Sequence, residues 1–312
     1  MRNKDLFHYK KKQGTLIVLS FISIYIVWGS TYLLNKIAVT ELAPFFLASI
    51  RFIIAGILIF IIAGLLGHSL TITRKQLINT AFLGFVFLSY GNGVAVWALK
   101  YMDSSFAALE ISAQPLVILL MMYVLQGKKI QPMSIFGVVL GVVGIYLLVS
   151  QKEILAQENS VLGILMIFSV MLFWGYGSLY VKKADLPSNY FVNTGYQMFI
   201  AGVFLAIMSL MFAEEWSWPQ TWQTDTQWAM VLLIVFGSIV AFTSFNFLLK
   251  HVSPEKVATN TYVNPIVALF LGWLFLDEKI TLQSIIAAII LLAGVYFINS
   301  KKKLMLFERF RK

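Results

Sequence analysis

The chain has 312 residues, of which 59% are hydrophobic and 12% charged, and its mean hydropathy is +0.82. A soluble domain carries about 45–50% apolar and ~25% charged residues, so this chain lacks the polar residues to cover a water-facing surface and holds no sizeable soluble domain. The net charge is +10 and there is no cysteine, which excludes a disulfide framework, a cysteine nucleophile and cysteine-ligated metal. The basic residues cluster in the tails, as in Lys10-Lys11-Lys12 and Lys301-Lys302-Lys303. There they flank apolar helices instead of forming a basic face on a folded domain, so they read as orientation signals and headgroup contacts, not as a nucleic-acid surface. His8, His68 and His251 stand far apart without a metal-ligand spacing, and neither a metal nor a cofactor is expected.

In chain order, apolar runs fall at 15–34, 44–66, 77–98, 105–125, 132–149, 161–181, 189–212, 228–249, 256–276 and 281–299. Each is about the ~20 residues a bilayer crossing needs. The first follows Lys10–Lys12 but is too long for a signal h-region, and no A-x-A site closes it, so it reads as a retained helix. Pro44, Gly127, Pro132, Pro187 and Pro254 punctuate the breaks. The runs show no alternation of the kind a membrane barrel needs. With the N-terminus inside, 19 of the 24 basic residues lie in inside segments and 4 (Lys36, Lys100, Lys152, Lys279) in outside ones, while Arg51 lies within a span. This bias places both termini in the cytoplasm. The longest outside break carries Glu214-Glu215-Trp216-Ser217-Trp218-Pro219 and Trp222, the composition of an interfacial aromatic segment.

The halves repeat each other. At an offset of 146, Trp28-Gly29 matches Trp174-Gly175 and Ala55-Gly56 matches Ala201-Gly202. At an offset of 150, Leu99-Lys100 matches Leu249-Lys250, Pro115 matches Pro265, and Gly144 and Tyr146 match Gly294 and Tyr296. The expected fold is an all-α polytopic membrane protein of ten transmembrane helices in two five-helix repeats, 15–149 and 161–299, with basic cytoplasmic tails at 1–14 and 300–312. Five is odd, so the second copy enters the bilayer from the opposite side. Inverted repeats of this kind place a solute site near the bilayer midplane at the repeat interface and supply two related conformations.

Trp28-Gly29-Ser30-Thr31-Tyr32, Gly91-Asn92-Gly93 and Tyr262-Val263-Asn264-Pro265 resemble the EamA family of the drug/metabolite transporter superfamily, in its YedA-type branch of inner-membrane exporters. The resemblance covers nearly the whole chain. It implies a bacterial inner (plasma) membrane location, a ten-helix bundle whose central cavity is lined mainly by helices 1, 3, 4, 6, 8 and 9, peripheral helices 5 and 10, and export of small metabolites, amino acids or drugs.

Candidate substrate contacts follow from polarity inside the spans. Glu110 lies early in helix 4 with Gln114 one turn on, next to Pro115. It is either a proton-coupling or cation-pairing acid or a neutral hydrogen-bond anchor. Its repeat mate is Asn260. Arg51, whose mate is Gln197, either snorkels to the outer surface or pairs with an interior acid, and reads as a structural anchor ahead of a substrate contact. Asn92 between two glycines offers a donor and an acceptor in a helix that can pack closely or unwind. Trp28 and Trp174 supply aromatic walls, with Ser30, Thr31, Tyr32, Tyr176 and Ser178 on the following turns. Tyr262 and Asn264 complete the candidate set. Pro115 and Pro265 sit in mid-helix as gating hinges or static bends. No catalytic residues are expected. The function expected is a secondary transporter for a small molecule, working by alternating access within the lipid bilayer. A channel or facilitator without ion coupling is the alternative, and a lipid-modifying enzyme would need an acid or histidine cluster that the spans do not hold. One chain completes the repeat pair, so a monomer suffices and a dimer stays open.

Overall fold

In the computed structural model, the described residues are 3–151, 157–252, 257 and 260–299. All regular structure among them is helical. Eight helices are long and apolar enough to cross a membrane: α1 (Gln13–Val39), α2 (Pro44–Leu65), α3 (Arg74–Ala98), α4 (Ser104–Gln126), α5 (Pro132–Val149), α6 (Ser160–Val181), α7 (Tyr190–Met211) and α8 (Thr224–Leu248). Two shorter apolar helices follow, α9 (Asn260–Leu276) and α10 (Leu282–Asn299). Pro254, Lys152 and the basic tail beyond 299, all used above, lie outside the described residues.

The helix ends obey local chemistry. Pro44 and Pro132 open α2 and α5 in the first turn, where a missing N–H costs nothing. Gly127, at φ 62°, closes α4 in the left-handed region. Thr73 and Gln76 form a reciprocal capping box at the start of α3. The Asn189 side chain accepts from Phe191 N at 2.9 Å and Val192 N at 3.2 Å to start α7. Large apolar side chains such as Leu65, Val139, Ile207 and Ile289 are exposed on the outside of the bundle, as expected where the solvent is lipid.

Packing follows the repeat. α2 packs chiefly against α7 and α5 against α10, each helix facing its own mate. The contacts are reciprocal to the residue. A methyl group on Gly56 would come within 2.7 Å of Phe199 N, and one on Gly202 within 2.7 Å of Ile53 N; Gly56 and Gly202, like Ile53 and Phe199, are 146 apart. Likewise Gly144 meets Leu291 N at 3.0 Å while Gly294 meets Gly141 N at 2.8 Å, pairs separated by 150. Small residues at such crossings let backbones touch where lipid offers no hydrophobic drive for helix association.

The helices are not regular throughout. α1 contains a π-helical segment at Ser23–Val27, α3 one at Phe85–Asn92 and α8 one at Leu233–Val240. In α3 the widened turn brings Val86 O within 2.9 Å of where a Gly91 side chain would start, so glycine is needed there. The two prolines do not make matched mid-helix kinks. α4 breaks in a turn at Ser112–Ala113 and Pro115 stands in the first turn of its second segment, whereas Pro265 lies inside an uninterrupted α9.

Gly56→Val and Gly202→Val are each expected to cost about 1–3 kcal/mol of stability through overpacking. Thermal unfolding in detergent would show this as lowered midpoints. Gly64→Val, which meets nothing within 4 Å, leaves the midpoint unchanged.

Candidate functional site

One face of α1, just past its π segment, carries Trp28, Thr31 and Asn35 at helical spacing. This face meets α2, α3 and α8 around Arg51. The Arg51 Nε donates to Ser238 Oγ at 2.8 Å. Its Nη1 donates to Asn35 Oδ1 at 3.3 Å and to Asn92 Oδ1 at 3.5 Å. Its Cζ lies 4.8 Å from the Phe52 ring centroid. Arg51 is 3% exposed, Asn35 5% and Ser238 0%. A charged side chain at the bilayer centre costs about 2.5–3.5 kcal/mol on insertion scales, so it turns inward to polar partners, and the partners here are all neutral. Asn92 and Ser238 reach the guanidinium from the π segments of α3 and α8, which are repeat mates.

Trp28 joins this cluster through its indole N–H, which donates to Gly237 O at 3.3 Å, and its ring packs on Phe242 and Phe245. A methyl group on Gly237 would meet Thr31 Cγ2 at 2.8 Å and Arg51 Nη2 at 3.2 Å. The structure therefore brings Trp28, Thr31 and Asn92 together with Arg51. Ser30 and Thr31 turn their hydroxyls back to Val27 O and Trp28 O, both at 2.7 Å. Tyr32 is half-buried against the core.

The other candidates lie elsewhere. Gln114 Nε2 donates to Met171 O at 2.9 Å. Asn264, with its amide nitrogen as donor, reaches Tyr25 O at 2.9 Å and Ile24 O at 3.0 Å. Since Tyr25 and Met171 are 146 apart and Gln114 and Asn264 are 150 apart, these are one clamp made twice: an amide of α4 or α9 holds a carbonyl of α6 or α1. Asn260 supplies a further carbonyl to the Asn264 amide at 3.3 Å. Trp174 packs 4.8 Å from Phe87. Tyr176 is 46% exposed on the bundle's outside, edge-on to Phe82. Glu110, 2% exposed, has an Oε2 without a hydrogen-bond partner. The Tyr262 side chain lies outside the described residues. Asn35, Gly237 and Ser238 went unread in the sequence. Asn35, seven residues after Trp28 on the same face, was the available signal.

A second polar cluster ties one end of the bundle. The Glu278 Oε1 accepts from Ser104 N at 2.8 Å and Ser104 Oγ at 2.7 Å, and its Oε2 from Ser105 N at 3.0 Å, capping α4. Lys36 Nζ donates to Leu99 O at 2.7 Å and Met102 O at 2.8 Å, closing α3. Glu214 caps α2 at Phe45 N and Phe46 N, at 3.1 and 2.7 Å. Glu41 accepts from Gln223 N at 3.1 Å, next to the start of α8. A cleft of about 320 Å³ lined by Asp103, Gln151, Glu278 and Lys279 lies at this end. An apolar cleft of about 470 Å³ opens between α4, α5 and α6, lined by residues such as Leu116, Val142 and Phe168. Among the described residues no group of three His, Asp or Glu is placed to hold a metal.

A model of the EamA-like transporter family matches residues 15–150 and again 161–300. The uncharacterized inner membrane transporter YedA of Escherichia coli is 32% identical over 81% of this chain and 80% of its own length. The uncharacterized transporter YvbV of Bacillus subtilis is 26% identical over 94% and 93%. The S-adenosylmethionine/S-adenosylhomocysteine transporter of Chlamydia trachomatis is 25% identical over 84% and 82%. A solved crystal structure, 18% identical, superposes over 95% of this chain and 99% of its own with a TM-score of 0.66, a likeness of fold.

Burial pushes the Asp103 carboxyl above the usual carboxylate range; Glu278 adds to this, and Lys36 and a hydrogen bond with Gln157 oppose it. The folded state therefore holds this proton more tightly than the unfolded chain. Its contribution is greatest below the unfolded value of about 3.9 and is lost as pH rises through the folded value. Melting midpoints measured across acidic pH are expected to carry this decline, and Asp103→Asn should remove it.

Proposed function

We propose, from the premise that this chain belongs to the EamA-like transporter family and is a multi-pass inner-membrane protein, that it is a secondary transporter exporting small solutes by alternating access. Its ten apolar helices form two inverted halves, 15–149 and 161–299, with both termini and their basic tails in the cytoplasm. The observation that carries this reading is the reciprocity of the contacts between mates, Gly56 on Phe199 and Gly202 on Ile53. A pseudo-two-fold relation of this kind lets either half adopt the other's conformation.

The departures from that symmetry describe one end-state of the cycle. α1 is π-bulged while α6 is not, and α4 is broken while α9 runs through Pro265. In the opposite state the roles exchange: α6 takes up the bulge and α9 breaks before Pro265, so both prolines gate. The amide clamps of Gln114 and Asn264 hold the half-helices in register meanwhile. Trp28, Ser30, Thr31, Tyr32 and Asn92, with Trp174, Asn260 and Tyr262 from the second half, contact the solute as the halves part. Glu110 takes a proton when its buried carboxylate has no partner, which couples flux to the proton gradient. The Chlamydia trachomatis relative's named cargo makes S-adenosylmethionine a first solute to assay.

Proteoliposomes holding native protein or Glu110→Gln, loaded with a solute panel and tested with and without a pH gradient, measure the coupling. Flux through the variant should persist but lose its gradient dependence; an unchanged pH dependence rejects Glu110 as the proton site. The chain is free of cysteine, so an engineered cysteine pair across the halves can be labelled for single-molecule FRET without background. Two distance populations that shift with solute are expected. A single static distribution would favour a channel.

A further inference from the structure

Arg51 is a buried cation without a buried anion. Every polar group placed on its guanidinium is neutral: Ser238 on Nε, Asn35 and Asn92 on Nη1. Glu110, on α4, leaves its Oε2 without a partner and makes no ion pair with Arg51 among the described contacts. Buried charges in proteins are ordinarily paired. Here no anion among the described residues pairs with the guanidinium.

We infer that Arg51 is the anchor for a carboxylate on the transported solute, a reading that rests on the transporter function proposed above. The geometry is suited to it. Ser238, at 2.8 Å, fixes Nε and so fixes the plane of the guanidinium. The two amide contacts on Nη1, at 3.3 and 3.5 Å, are long beside the ~2.7–2.9 Å of a charge-assisted bond, so a carboxylate displaces them with gain. Nη2 faces Gly237, where a methyl group would stand 3.2 Å away. Glycine keeps a side chain off Nη2, so once the halves part this nitrogen joins Nη1 in two parallel N–H···O bonds, the arrangement arginine offers and lysine does not. Trp28, hydrogen-bonded to the same glycine, supplies an aromatic wall for the uncharged part of the solute.

The scaffold does not require this charge. The mate of Arg51 is Gln197, which fills the corresponding place in α7, 2% exposed, with a neutral amide whose Oε1 has no partner. The same helix crossing is thus built once with a cation and once without. The cation reads as a recognition element in the first half. Asn92 and Ser238 come from π segments, a distortion frequent at functional sites.

The test uses the full-length protein in nanodiscs and proteoliposomes. The probes are benzoate, phenylalanine and glutamate, each set against its amide lacking the α- or ring carboxylate. Thermal shift reads binding and counterflow reads transport. At least one acid should bind at least tenfold more tightly than its amide. Arg51→Gln should equalise the two, and Arg51→Lys should keep the preference at weaker affinity. Asn35→Ala, which removes a competing acceptor, should tighten acid binding at least threefold; this variant keeps the inference testable if Arg51→Gln fails to fold. Equal binding of acids and amides by native protein, discrimination that survives in Arg51→Gln, or unchanged acid affinity in Asn35→Ala would each overturn the anchor. Native protein that moves neutral solutes and ignores acids defeats the anchor alone. Absence of counterflow for any solute, with acid binding intact, defeats the transporter reading and leaves the anchor standing.

Discussion

Backbone-to-backbone contact between α2 and α7 is the constraint from which the arrangement of the bundle follows. In lipid there is no hydrophobic gain from bringing two apolar helices together, so association depends on how closely the main chains approach. Gly56 and Gly202 allow an approach in which any side chain would strike the partner's amide nitrogen. Because each glycine meets the mate of the other's neighbour, the contact defines a two-fold relation between the halves. The α5–α10 contact, through Gly144, Gly141 and Gly294, repeats it. With these two crossings set, α1 faces α9 while α6 faces α4, and the amide clamps of Asn264 and Gln114 fall into equivalent places.

Within that frame the polar groups divide by task. Gln114, Asn264, Ser30 and Thr31 spend their hydrogen-bonding capacity on backbone carbonyls, which is what a distorted membrane helix needs when lipid cannot satisfy a freed carbonyl. Arg51, Asn35, Asn92 and Ser238 bond to one another instead, across four helices. The first set stabilises the helices as they are bent. The second set joins α1, α2 and α3 within the first half, and through Ser238 reaches α8 of the second.

The repeat register was legible in the sequence because it rests on collinear matches, and the glycine pairs at 146 and 150 lie at the crossings of mate helices, where each meets the mate of the residue the other touches. Trp28, Thr31 and Asn92 were read in the sequence as solute contacts and are gathered around Arg51. Tyr176 was not, since two residues beyond Trp174 on a helix is nearly the opposite face, and it meets the bundle's outside. Nor does a sequence say whether an amide such as Gln114 points to open space or to a neighbouring carbonyl. The π segments were illegible for a related reason: each packs against helices distant in sequence, that of α1 against α9, that of α3 against α6 and α7, and that of α8 against α2. Arg51 stood out as a mid-span charge, but its neutral company comes from residues 16, 41 and 187 positions away.

The carboxylate caps make the two ends of the bundle unequal. Glu214 and Glu278 belong to the second half and hold helix starts of the first, and Glu41 of the first half holds the chain entering α8. At the opposite end the bonds across the halves include Tyr180 on Asn79, Asn79 on the Asp185 carbonyl and Tyr196 on the Leu70 carbonyl, which are neutral, and one long exposed contact from Gln76 to Asp185. Charge-assisted bonds are roughly twice as strong as neutral ones. The glutamate ties are therefore the stronger of these bonds. A protein built from near-equivalent halves is thereby unequal at its two ends: carboxylates of one half tie the helix starts of the other at the end that holds Glu41, Glu214 and Glu278.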